Sequence, residues 1–164
     1  MIMIPRCAPL LLFLLPVISI LGNSTPARFD PSDVYVAMAS SNIQEIDSAL
    51  GELEKTSLPG KLAYEGAMLM KKSGLLSKPK EKLKVFKSGR EKLETAIRDD
   101  SANVEYHFLR LIIQENAPKI VGYKKNIDAD SKMVMASYNT LPTFLRQAIK
   151  NYSKTSKVLK TANF

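Results

Sequence analysis

Apolar residues return every three or four positions over most of the chain, and each such run predicts one helix. Val34, Ala37 and Met38 share a face of a first helix that begins at Asp33, with Ser32 as its cap. Ser41 followed by Gln44 has capping-box spacing, and Ile43, Ile46, Leu50 and Leu53 carry a second helix to Glu54. Leu58-Pro59-Gly60 ends it. Leu62, Gly66, Leu69 and Met70 form the stripe of a third helix over 61–72, which Ser73-Gly74 closes. After a basic connection over 75–80, Leu83, Phe86, Gly89, Leu93, Ala96 and Ile97 define a fourth helix over 81–99, with Lys84, Lys87 and Lys92 pointing away from the buried side. Val104, Phe108, Leu111 and Ile112 mark a fifth, which Asn116-Ala117-Pro118 stops. Asn126 caps a sixth, with Asp128 and Asp130 at the positive end of its dipole. Pro142 opens the last, in which Leu145, Ile149 and Tyr152 face inward. No stretch alternates with period two for long enough to demand a strand. The expected fold is all-α, with six to seven helices in packed hairpins.

Gly66 lies within an apolar stripe, where it costs about 1 kcal/mol of helix propensity relative to alanine. That cost is explained if a second helix approaches closely there. Gly89, Leu93 and Ala96 place small, large and small residues at spacings of four and three, and Ile97-Arg98-Asp99-Asp100-Ser101 follows them. This segment resembles the second half of a tetratricopeptide repeat, and Gly66 stands where the first helix of such a repeat keeps a glycine. The resemblance implies tetratricopeptide-like packing of the central helices.

Before the first helix the pattern is different. Arg6 is followed by an uncharged apolar run over 8–21, then by Gly22, Asn23 and Ser24. That is the layout of a secretory signal peptide cleaved near Ser24. The run is short for a bilayer span, which takes about 20 apolar residues, and Pro9 and Pro16 interrupt it. The expected organisation is a signal peptide over 1–24, a linker over 25–32, and a single helical domain over 33–164. Cys7, the only cysteine of the 164 residues, precedes the apolar run, so the processed chain has neither thiol nor disulfide. Its stability must come from an apolar core, and 45% hydrophobic residues suffice for one.

A second resemblance rests on Phe108-Leu109-Arg110, Ile113-Gln114, Asn116, Pro118, Gly122-Tyr123, Asn126-Ile127 and Asp130. Together they resemble a signature of small exported proteins of Bacteroidota bacteria, a family to which we assign no activity. The resemblance implies a bacterial periplasm or outer envelope as destination.

Catalytic chemistry finds little support. His107 is the only histidine, so neither a positioned nucleophile–base relay nor a multi-ligand zinc site can be assembled. Asp99 with Asp100, and Asp128 with Asp130, sit at turns and helix starts and not as a poised acid/base pair. No cofactor or metal is expected, and the chain reads as a non-enzyme. Arg110, Gln114, Asn116, Tyr123, Asn126 and Asp130 form the polar group of most interest. Arg110 and Gln114 share a helix face, and the turn through Pro118 and Gly122 can fold the sixth helix beside them. The group reads first as a structural network in which Arg110 pairs with Asp130, and second as a ligand pocket. Met38, Met68, Met70, Met133 and Met135 read as core at helical spacing, the alternative being an adaptable groove.

The net charge of +8 is unevenly spread: no acid follows Asp130. Lys84, Lys87 and Lys92, with Arg146, Lys150, Lys154 and Lys157, are candidates for contact with an anionic membrane surface or envelope polysaccharide, or form a solvated face. Nucleic acid is not expected, since few aromatics interleave with the lysines. The expected function is a non-catalytic envelope module that binds a protein or peptide in a helical groove.

Overall fold

The computed structural model describes residues 29–160. The expected leader over 1–24 and the first half of the expected linker lie outside the described residues. Seven helices run in order: α1 (Pro31–Ala39), α2 (Ile43–Glu54), α3 (Lys61–Leu75), α4 (Pro79–Asp99), α5 (Val104–Asn116), α6 (Ile127–Ser137) and α7 (Thr143–Ser153). Single 3-10 turns, Lys119–Val121 and Tyr138–Thr140, precede and follow α6. There is no strand among the described residues, and the fold is all-α.

Local chemistry sets the helix starts, in places one or two residues from where the pattern puts them. Asp30, not Ser32, caps α1: its side chain accepts from the Ser32 amide at 2.8 Å, and the Asp33 side chain accepts in turn from the Asp30 amide at 2.8 Å. Helix α1 therefore begins at Pro31, inside the expected linker. Asn42, not Ser41, caps α2 by accepting from the Gln44 amide at 2.9 Å. Gly60 precedes α3 at φ +83°, and the Tyr106 ring lies 3.2 Å from where a Cβ would stand. Gly74 does not close α3, which continues through it to Leu75 and leaves a short connection before Pro79 at the first position of α4. Pro142 sits one residue ahead of α7.

The tightest packing joins α3 to α4. Gly66 faces Leu93 while Leu69 and Met70 face Gly89, so the two helices run antiparallel. A Cβ on Gly66 would come within 2.6 Å of the Leu93 backbone nitrogen, and one on Gly89 within 2.6 Å of the Gly66 carbonyl oxygen. Two glycines meeting at one crossing bring the backbones into contact. The expectation drawn from Gly66 is met by both glycines.

A first core cluster gathers Val34, Met38, Ile46, Leu53, Met68, Leu93 and Leu109. A second holds Phe108, Leu111, Val134, Leu145, Ile149 and Leu159. Tyr35 and Ile112 pack against both, which joins α1 and α5 to the two halves. Leu62 and Leu83, expected on buried stripes, are instead 36% and 47% exposed. Met133 and Met135 are half-buried on α6, whereas Met38, Met68 and Met70 are buried.

Candidate functional site

The structure brings Arg110 of α5 and Asp130 of α6 together. Arg110 donates from Nε to Asp130 Oδ2 and from Nη2 to Asp130 Oδ1, both at 2.8 Å. This two-pronged geometry is available to arginine and not to lysine. The third guanidinium nitrogen, Nη1, donates to Glu94 Oε2 at 3.0 Å. Glu94 Oε1 in turn accepts from the Tyr123 hydroxyl at 2.6 Å. The Tyr123 ring meets Phe86 edge-on and carries the Arg90 guanidinium 4.9 Å from its centroid. One turn further along α5, Gln114 accepts from the Asn126 amide at 3.2 Å and donates to the Asn126 side chain at 3.5 Å. Arg110 opposite Asp130, and Gln114 opposite Asn126, put α5 and α6 antiparallel.

Three of the expectations need correction. Asn126 stands at the N-cap of α6, but its side chain makes no capping bond and turns to Gln114 instead. Asn116 is not in this network: it donates to the Ile112 carbonyl and to the Tyr152 hydroxyl, on the opposite side of α5. Lys92 does not point away from the α3–α4 pair, since its ammonium meets Glu65 of α3 at 2.8 Å.

Two members escaped the sequence reading. His107 donates from Nδ1 to Asp130 Oδ1 at 2.7 Å, and its Nε2 faces the Ser101 carbonyl at 3.0 Å. A carboxylate and a carbonyl both accept, so the ring fits best with a proton on each nitrogen. Its position three residues before Arg110 was the available signal. Glu94 lies four residues beyond Arg90 at the border of the buried stripe of α4, a fainter one.

The electrostatics follow from this geometry. The Asp130 hydrogen bond raises the His107 pKa, against the effect of burial. Burial alone would raise Asp130, but the bonds from Arg110 and His107 overrule it and hold the carboxyl below its ordinary value. Burial, reinforced by Glu94, pushes the Tyr123 hydroxyl far up. No buried polar side-chain atom among the described residues lacks a hydrogen-bond partner. Arg110, Gln114, Tyr123, Asn126 and Asp130 line neither of the two principal cavities. Their chemistry is spent on one another.

The larger cavity, about 910 Å³, is a groove on another side of the molecule. Tyr35, Val36 and Ala39 of α1 form one wall, and Phe144, Ala148 and Tyr152 of α7 another. The buried Met38 and Met70, with Phe86 and Ile113, lie beneath, and the C-terminal ends of α3 and α5 close the trough. Val36, 70% exposed, and Leu75 stand at its lip. Its polar lining consists of hydroxyls, the amides of Asn116, Gln147 and Asn151, and one charge, Lys71. No acid lines it. Burial lowers the Lys71 pKa.

The remaining basic candidates are scattered. Lys84 and Lys87 are exposed on α4, and Lys150, Lys154 and Lys157 are exposed in or just after α7. Arg146 is half-buried, with Nη2 3.5 Å from the Thr143 hydroxyl. Among the described residues no helix is long and apolar enough to cross a membrane, and no cluster of three metal-ligating side chains occurs. Comparison of the chain with protein-family models, curated proteins and solved structures finds no match.

Proposed function

We propose that this chain is a non-catalytic interaction module of a bacterial envelope, and that it takes a segment of another protein in the groove between α1 and α7. Export is inferred from the apolar run over 8–21 and its small-residue exit. The observation that carries the binding reading is the groove itself, with apolar walls, a few polar groups and an exposed apolar lip at Val36 and Leu75. A concave, mostly apolar cavity with few convergent polar groups is the usual form of a binding site. An exposed apolar lip favours a protein partner over bare solvent. Binding is preferred to catalysis because the groove offers neither imidazole nor carboxylate, while His107 and Asp130 are bonded to each other and Glu94 to Arg110 and Tyr123.

Photo-crosslinking in the native cell tests the reading. A photoreactive residue at Val36 or Gln147 should capture a discrete polypeptide, and the same residue at Glu52, on α2 outside the groove, should not. The captured band should also be lost when Val36→Glu is introduced and the crosslinker is kept at Gln147. Equal capture from Glu52 would end the groove reading.

A second reading has one specific observation behind it. Leu83 is 47% exposed and is flanked on α4 by the exposed Lys84 and Lys87. An apolar side chain among lysines suits an anionic lipid or polysaccharide surface, where each lysine is worth on the order of 1 kcal/mol. Lys92 drops out of that set because Glu65 already neutralises it.

A further inference from the structure

The charge around the groove narrows what can occupy it. Lys71 is the only charged residue in the lining, is half-buried, and has no carboxylate within ion-pair distance among the described residues. Its neighbour Lys72 differs, being paired with Asp47 of α2. At 100° per residue, Lys154 and Lys150 fall next to the groove-lining Gln147 and Asn151 on α7, on the side away from the buried Leu145 and Ile149. Neither has a carboxylate partner among the described residues, although the Lys154 ammonium lies 3.4 Å from the Asn151 side-chain oxygen. The acids beside these elements are already engaged, and Glu105 accepts from the hydroxyl of the groove-lining Tyr35 at 2.8 Å. Asp30 and Asp33 cap α1, and Glu115 holds the Ser156 hydroxyl and the Lys157 amide. The groove is therefore an apolar trough with a half-buried cation, Lys71 of α3, in its lining and a basic rim along α7.

We infer that its occupant is an acidic amphipathic segment of a partner protein, with apolar side chains seated between α1 and α7 and a carboxylate opposite Lys71. This deepens the groove reading above and rests on it. A partner carboxylate would restore to Lys71 the favourable interactions that burial removes. A cationic or purely apolar segment would leave that charge unanswered. The rim lysines would add long-range attraction and speed encounter more than they tighten the complex.

Two synthetic helices with the same leucine face, one with a glutamate polar face and one with a lysine polar face, test this by titration against the full chain purified from its host. The glutamate helix should bind about tenfold more tightly, since a hydrogen-bonded charge pair typically contributes that much. The gap should shrink as salt is raised. Lys71→Met should remove most of it, and Lys71→Glu should reverse it. If Lys71→Glu does not fold, Lys71→Met with the salt series decides the matter. Equal binding of both helices, abolished in each case by Ala148→Trp inside the groove, would overturn the acidic preference and leave the groove reading standing. Binding of neither helix would overturn both. Displacement of the glutamate helix by phosphatidylglycerol vesicles, with no effect of Lys71→Met, would assign the basic charge to a membrane and overturn the inference.

Discussion

Arg110→Ala probes the buried network most directly. The substitution deletes two bonds to Asp130 and one to Glu94, three charge-assisted interactions at once. What remains decides the magnitude. Asp130 is 1% exposed and would keep only His107 as a charged partner, whereas Glu94 is open enough for water to replace the lost bond. Breaking a buried ion pair from one side costs about 3–5 kcal/mol, because the stranded charge stays out of solvent. For about 130 described residues, unfolding entropies of ordinary size convert that into a fall in Tm of roughly 10–18 °C. Differential scanning calorimetry at neutral pH measures it directly. Replacing both partners, with Arg110→Met and Asp130→Leu, should recover much of the loss, since no charge is then stranded. Two results would refute the reasoning. One is a Tm within about 3 °C of wild type for Arg110→Ala, smaller than the mechanism allows. The other is a double variant less stable than the single one.

Pairing with Asp130 raises the His107 pKa, so its charge contributes stability that is complete below the ordinary histidine range, about 6.5, and is lost as pH climbs through the folded-state value. Tm should therefore decline from near pH 6.5 upward, and His107→Gln should flatten that part of the profile. The Asp130 pKa is depressed, so its contribution is present above pH 3.8 and disappears as the pH falls through the lower folded value; acid titration followed by circular dichroism should show Asp130→Asn less sensitive over that range. Gly66→Ala and Gly89→Ala should each lower stability by about 1–3 kcal/mol, because backbone must move to admit the methyl group. Gly51→Ala in α2, with nothing within 4 Å of the new carbon, should raise stability by up to about 1 kcal/mol in a urea titration. If the lysine reading holds, Lys84→Gln with Lys87→Gln should weaken sedimentation with anionic vesicles, and Lys92→Gln should add little, because Glu65 already engages it.

Helix number and order were legible because period and caps agree along the chain. The exact starts were less so: Asp30 and Ser32, or Ser41 and Asn42, are all competent caps, and only the path of the preceding chain decides between them. Leu83 shows the limit of a stripe read by eye. It lies about 100° from the middle of the buried arc of Phe86, Gly89, Leu93 and Ala96, which leaves it in solvent. The Arg110–Asp130 pair could be anticipated from a helix face and a turn able to bring α6 back. Glu94 could not, because its partnership depends on how α4 lies across α5. The groove was out of reach as well. Its walls come from α1 and α7, far apart in the chain, and Asn116 looked like a member of the polar group until the two sides of α5 could be told apart.

Glu115 receives the Ser156 hydroxyl at 2.6 Å and the Lys157 amide at 2.7 Å, while Leu159 inserts beneath α7. One carboxylate on α5 thus moors the segment following α7. Thr155 of that segment lines the trough, so a residue outside the lining helps to hold the wall in place. Substitution at Glu115 should loosen that wall while every residue lining the trough stays chemically the same.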